Sequence, residues 1–169
     1  VLTRMVLRGQ LISLCFSILI ILFIMTLVFR SITGGLLATL PMVASVVMMF
    51  GLMGYLDIPL NMTTSMLTGI LVGVGVDYTV HFLWHLRDHI REGDSLDDAI
   101  ANTLLISGKG ILFNGLSVIV GFSALLFSVF VPVQIFGILV MGSISFCLFG
   151  ALATLPALTS LINPKFLYR

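Results

Sequence analysis

Met62–Trp84 reads MTTSMLTGILVGVGVDYTVHFLW, an apolar run with one charge inside it, Asp77. A spanning helix needs about 20 mostly apolar residues to cross about 30 Å of hydrocarbon, so this stretch predicts a transmembrane helix carrying a carboxyl group. Working outward, the charges mark the ends of its neighbours. No charge falls between Arg8 and Arg30, which predicts a first helix near 10–29, and none falls between Ser31 and Leu56, which predicts a second near 34–55. Pro41 lies inside that second run and predicts a kink supported by neighbouring helices. Leu56-Asp57-Ile58-Pro59-Leu60-Asn61 reads as a turn. From Lys109 to Lys165 no charge appears, a run long enough for two crossings, and Val131-Pro132-Val133-Gln134 is the turn candidate within it. Helices near 110–130 and 135–162 follow, making five spans in a single transmembrane domain, 1–169.

Composition agrees. Of 169 residues, 59% are hydrophobic and 9% charged, the formal net charge is +1 and mean hydropathy is +1.23. A soluble domain carries about 25% charged residues, so this chain lacks the polar surface to cover a globule in water. With no basic patch for phosphate contacts, nucleic-acid binding is excluded as a function class. Cys15 and Cys147 lie in apolar runs and read as small buried hydrophobes. The chain opens on Val1 with no methionine start and no small-residue cleavage site, so it is expected to be a segment of a longer polypeptide.

Charges cluster from Arg87 to Asp98, the clearly aqueous stretch. Asp94 is the expected N-cap there, with Asp97 and Asp98 in the first turn, where carboxylates favour the positive end of the helix dipole. Leu96, Ile100 and Leu104 follow at i, i+4, i+8, predicting a short amphipathic helix over about 94–107 on the membrane surface. Five crossings put Arg30, Arg87, Arg91, Lys109, Lys165 and Arg169 at one face and Arg4 and Arg8 at the other. The positive-inside bias then places the C-terminus in the cytoplasm and the N-terminus outside. Sixteen glycines, many within spans, predict close helix contacts, because small residues let backbones approach where lipid offers no hydrophobic driving force.

Asp77 precedes Arg87 by ten residues, roughly 15 Å at helical rise, and so lies near mid-membrane. A carboxylate there costs on the order of 2.5 to 3.5 kcal/mol on insertion scales, so it is expected to face the bundle interior or a wet cavity. Burial favours the neutral form of an acid and a nearby cation or donor the charged form, which lets such a group exchange protons. Gly69, Gly73 and Asp77 fall at i, i+4, i+8, so a partner helix can come close along that face; Gly75 adds a further small position for packing. Tyr78 brings a hydroxyl about 100° round the helix that can donate to a neighbouring segment. By depth, Asn114 and Ser117 on the fourth helix are the expected polar neighbours of the acid. His81, His85 and His89 continue the four-residue step toward the aqueous stretch, a ladder able to pass protons to Asp77 because imidazole titrates near neutrality.

Rival chemistries fit less well. Gly73-Val74-Gly75 follows no strand and lacks a third glycine, so it is no nucleotide loop. An intramembrane aspartyl protease needs a second carboxylate to share the proton with Asp77, and Asp57 lies at the opposite surface. Ser65, Ser107 and Ser117 show no elbow-like setting for Ser-His catalysis. Histidines at successive one-turn steps converge poorly on one ion, so neither metal nor other cofactor is expected.

Gly73-Val74-Gly75-Val76-Asp77-Tyr78-Thr79-Val80-His81-Phe82 strongly resembles the fourth-helix motif of the resistance-nodulation-division superfamily, in the branch of MMPL-type (mycobacterial membrane protein, large) lipid or hydrophobe exporters. Phe29-Arg30-Ser31, Pro59-Leu60-Asn61, Gly108-Lys109-Gly110-Ile111, Gly121-Phe122, Ser128-Val129-Phe130, Phe136-Gly137 and Leu155-Pro156-Ala157-Leu158 look like that family too, in order over nearly the whole chain. The resemblance implies an all-α integral membrane fold: half of a twelve-helix transporter, without that half's first helix and extracytoplasmic domain. This segment would be helices two to six, or eight to twelve, and Asn163-Pro164-Lys165 soon after the last span favours the second half. It further implies a secondary active transporter, not an enzyme, in a bacterial inner membrane. Such a protein exports lipids or other hydrophobic molecules by proton antiport. Asp77 and Tyr78 would meet a matching Asp-Tyr helix of the other half as the proton relay. Relatives form trimers and smaller assemblies, so a homo-oligomer joins the lipid bilayer, the other half, the hydrophobic substrate and protons among the expected partners.

The five-helix unit also resembles the sterol-sensing domain of Patched-like and Niemann-Pick-type proteins, which would make it a lipid-binding or lipid-conducting module without ion coupling. A purely structural anchor would need neither Asp77 nor close-packed glycines. Coupling requires protonation to change which of two helix arrangements is favoured. One pKa unit of difference between the two states is worth about 1.4 kcal/mol, roughly a tenfold shift in their ratio. Pro41, Gly73 and Gly75 are candidate moving parts.

Overall fold

The computed structural model describes residues 2–59 and 62–168, which are helical throughout their ordered elements with no strand among them. The elements are α1 (Leu2–Phe29), α2 (Ile32–Tyr55), α3 (Met62–Glu92), α4 (Leu96–Thr103), α5 (Lys109–Ser123), α6 (Val131–Phe149) and α7 (Leu155–Ile162). A π turn, Leu104–Gly108, joins α4 to α5, and a second, Gly150–Thr154, joins α6 to α7. Short 3-10 turns close α5 at Ala124–Phe127 and the chain at Lys165–Tyr168. Five runs are long and apolar enough to cross a membrane: Arg8–Phe29, Ile32–Tyr55, Thr64–Glu92, Leu96–Phe127 and Val131–Ile162. The protein is an all-α integral membrane protein.

Burial separates the spans into a centre and a rim. Half of the most apolar window is buried in α2, in α3 and in the α6–α7 run, against 6% in α1 and 11% in the α4–α5 run. Met42, Met49, Leu71, Phe82, Leu139 and Ile144 meet in the central layer. The corner between α1 and α2 shows how closely the helices approach. Arg30 adopts φ 49, a left-handed residue that costs roughly 1–2 kcal/mol without glycine, and the amide of Ser31 donates to the Thr26 carbonyl at 3.1 Å across the corner. A Cβ on Gly35 would strike the Thr26 side chain and fall 3.0 Å from its backbone nitrogen, so only glycine permits this crossing.

Pro41 lies inside α2 as expected, and its ring packs on Gly150 of the second π turn, where a Cβ would fall 3.0 Å from the Pro41 Cβ. Leu152 of the same turn in turn reaches Gly108 of the first, 3.5 Å from where a Cβ would stand. The three interruptions of regular helix are therefore stacked against one another. The last 3-10 turn tucks under the α1–α2 corner, with Phe166 edge-on to Phe29 at 5.5 Å and Leu167 fully buried.

Several boundaries differ from the sequence reading. α3 continues eight residues past Trp84 to Glu92, because charged residues end a hydrophobic run without ending a helix; His89 and Arg91 in the last turn favour its negative pole. The segment expected over 94–107 contains a short helix, α4, at Leu96–Thr103. It is capped by Ser95, not Asp94: the Ser95 hydroxyl accepts from the Asp98 amide at 3.3 Å, and Asp97 and Asp98 occupy the first turn. From there it runs unbroken through the π turn into α5, and Leu96, Ile100 and Leu104, partly buried, pack against the protein core. The turn before the last span falls at Ser128–Phe130, since Pro132 sits in the first turn of α6, where its missing N–H has no partner to lose. Gln134 holds that turn by donating to the Ser128 carbonyl at 2.7 Å and the Leu126 carbonyl at 3.3 Å. Pro59 ends the described part of the 56–61 turn, and Leu60 and Asn61 lie outside the described residues.

Candidate functional site

α3 presents two unlike faces. Bulky side chains decide which one enters the core: Leu67, Leu71, Tyr78, Phe82 and Leu86 are all at most 1% exposed. Gly75 belongs to this inner face, where a Cβ would fall 3.1 Å from Met42 Cγ and 3.3 Å from Cys147 Sγ. Gly69 and Gly73 point the other way, with nothing within 4 Å of their Cβ positions. Asp77 follows them on the outer face, its side chain 58% exposed. Of the two settings expected for this acid, the bundle interior or a wet cavity, the interior is taken by the large apolar residues of α3, and helical periodicity turns the carboxylate outward into a cleft.

Asp77 lines a cleft of about 370 Å³ between α3 and the α4–α5 run. Tyr78, His81 and His85 share its α3 wall, and Ile106, Ser107, Gly110, Ile111 and Asn114 form the other. The His81 Nε2 lies 3.7 Å from the Asp77 Oδ1, one helical turn away. His85 stacks beneath His81, ring centroids 6.5 Å apart and planes 13° from parallel. The ladder stops there. His89 turns away to Asp94, with Nδ1 at 3.3 Å from Oδ2, and Asn102 donates to the same oxygen at 3.1 Å, so this third imidazole fastens the corner between α3 and α4.

The expected partners divide in the same way. Asn114 lies across the cleft from Asp77, whereas Ser117 does not line it and its hydroxyl donates to the Phe113 carbonyl at 2.8 Å. Tyr78 is almost wholly buried, and its hydroxyl has no hydrogen-bond partner among the described residues. Ser107, set aside in the sequence as a nucleophile, enters the cleft from the π turn; its hydroxyl is buried and also without a hydrogen-bond partner among the described residues. A signal for it existed: Ser107, Gly110 and Asn114 stand at i, i+3, i+7, one stripe of small and polar residues on an otherwise apolar helix.

Chemically, the cleft joins a carboxyl group that can take and release a proton to two stacked imidazoles and to an amide and hydroxyls able to donate or accept. Among the described residues Asp77 is the one carboxylate that lines it.

Comparison with known proteins agrees with this architecture. Residues 2–167 match the MMPL family. A membrane protein of Methanocaldococcus jannaschii is 28% identical over 138 residues, which cover 82% of this chain and 36% of the relative. The chain therefore spans about a third of that protein's length. No solved structure matches. A charge-poor bundle of five spans, matched almost from end to end, belongs to the MMPL family.

Proposed function

We propose that this chain is the membrane segment of a proton-driven exporter of lipids or other hydrophobic molecules, with Asp77 as its proton-carrying acid. One observation carries the reading: a carboxylate more than half exposed on a span, on a face whose glycines touch nothing. Such a group cannot remain against hydrocarbon, so in the working transporter it meets protein or water. A second helical half covering the face through Gly69 and Gly73 would bury Asp77 at a seam between halves, where gain or loss of one proton changes the energy of docking. His81 and His85 lead from that seam along α3 toward the Arg87 end, and Tyr78, Ser107 and Asn114 supply donors beside it. The basic residues at that end make it the cytoplasmic one, with the C-terminus inside and the N-terminus outside.

The test is substrate efflux from vesicles carrying the complete transporter under an imposed pH gradient. Asp77→Asn is expected to abolish gradient-driven efflux while helical content and substrate binding persist, because the amide is nearly isosteric and cannot titrate. Gradient-driven efflux that survives Asp77→Asn overturns the reading and favours a lipid-sensing or lipid-conducting module without ion coupling. His81→Ala with efflux unchanged across pH removes the histidines from the proton route and leaves the acid in place.

A further inference from the structure

A second cleft, about 400 Å³, opens at the end of the bundle where α1 turns into α2. It is lined by Val28, Phe29, Arg30, Arg87 and Arg91, so three guanidinium groups from two distant parts of the chain share one space. Their convergence is imposed by the fold. Arg30 is held at the corner by its left-handed backbone and by its amide donating to the Leu27 carbonyl at 3.2 Å, while Arg87 and Arg91 stand one turn apart near the end of α3. Arg87 Nε is buried with no hydrogen-bond partner among the described residues, and neither Arg30 nor Arg87 has a carboxylate within ion-pair distance among them. Asp88 follows Arg87 in the chain but does not line the cleft.

Like charges gathered in a partly dehydrated cleft repel, and an unmatched buried guanidinium N–H is unfavourable, so the arrangement fits an anion. Guanidinium forks match phosphate oxygens with paired, charge-assisted hydrogen bonds. The remaining wall is apolar: Val28 is 39% exposed beside the buried ring of Phe29. An anion that brings hydrocarbon with it satisfies both surfaces, and the site lies where a spanning helix leaves the bilayer.

We propose that this cleft binds the phosphate of an anionic phospholipid in the leaflet at that end, with Arg30, Arg87 and Arg91 around the phosphate and Val28 along an acyl chain. The proposal is independent of proton coupling at Asp77. Its test is native mass spectrometry of the detergent-purified protein titrated with phosphatidylglycerol or phosphatidylcholine, with helical content followed in parallel. Wild type should retain phosphatidylglycerol over phosphatidylcholine by about tenfold. The double variant Arg87→Gln/Arg91→Gln should lose that preference, and Arg8→Gln near the other end of α1 should keep it. Should the double variant misfold, Arg30→Gln outside the regular helices serves instead and should weaken the preference. Equal retention of the two lipids by wild type, or an unchanged preference in the folded variants, overturns the proposal. Inorganic phosphate in the millimolar range should fail to displace the lipid; displacement would reassign the cleft to a free anion and overturn the lipid assignment.

Discussion

Glycine occurs on both faces of α3, and its surroundings on the two are opposite. At Gly75 the missing side chain lets Met42 and Cys147 come close to the helix, and the large side chains of the inner face are buried. At Gly69 and Gly73 the missing side chains admit nothing within this chain, and beside them stand a carboxylate and two stacked imidazoles. Packing interactions inside one bundle account for the first face. They do not account for the second, because a small residue that touches nothing gains no dispersion energy and Ala would be the better helix former by roughly 1 kcal/mol. The proposed second helical half, covering the outer face, would account for this difference.

This contrast can be broken from either side. The largest effect is expected at Asp77, where Asn should bring gradient-driven efflux to background yet leave thermal unfolding in detergent nearly unchanged, because the carboxylate is more than half exposed and so is His81, its neighbour at 3.7 Å. Next comes Phe82, fully buried on the inner face. Phe82→Ala should destabilise the folded bundle by about 2–4 kcal/mol through the cavity it leaves, seen as a lowered unfolding midpoint. A third measurement compares glycines directly. Gly75→Leu should lower stability by about 1–3 kcal/mol through overpacking against Met42, whereas Gly73→Leu should leave this unit's unfolding unchanged and impair efflux by keeping the other half away. Equal destabilisation by the two would erase the distinction between the faces. The smallest effect is at the corner: His89→Ala removes a partly exposed partner of Asp94 and should cost about 0.5 kcal/mol, detectable as faster hydrogen exchange over 92–103.

The sequence made the spans legible because charge is excluded from hydrocarbon, so gaps between arginines and lysines mark the crossings. Helix ends were less legible for the same reason. Hydropathy reports where the bilayer is, and α3 passes out of it for two further turns through Arg87, Asp88 and Arg91. The sequence predicts separate helices over about 94–107 and 110–130, yet the backbone carries through Leu104–Gly108 as a π turn, whose hydrogen bonding no composition rule reveals. At the site, the four-residue spacing of Asp77, His81 and His85 is matched by their lining one cleft, while Gly69 lines another, against α1. Which way that face points was not readable, since it depends on which stripe of α3 the other helices claim, and Leu67, Leu71, Phe82 and Leu86 claim theirs by bulk. Depth alone points to Asn114 and Ser117; joined to helical phase it keeps Asn114 and replaces Ser117 with Ser107.

Each of the two wide turns, Leu104–Gly108 and Gly150–Thr154, houses one residue more than an ordinary helical turn of the same rise. That surplus is slack. Tightening either turn would draw the helix beyond it inward by about 1.5 Å and swivel it by about 100°, with no hydrogen-bonded ladder broken for long. Since Leu152 of one rests on Gly108 of the other and Gly150 rests on Pro41, a ratchet at one level of the bundle would be felt by three spans together, Ser107 and its wall of the Asp77 cleft included.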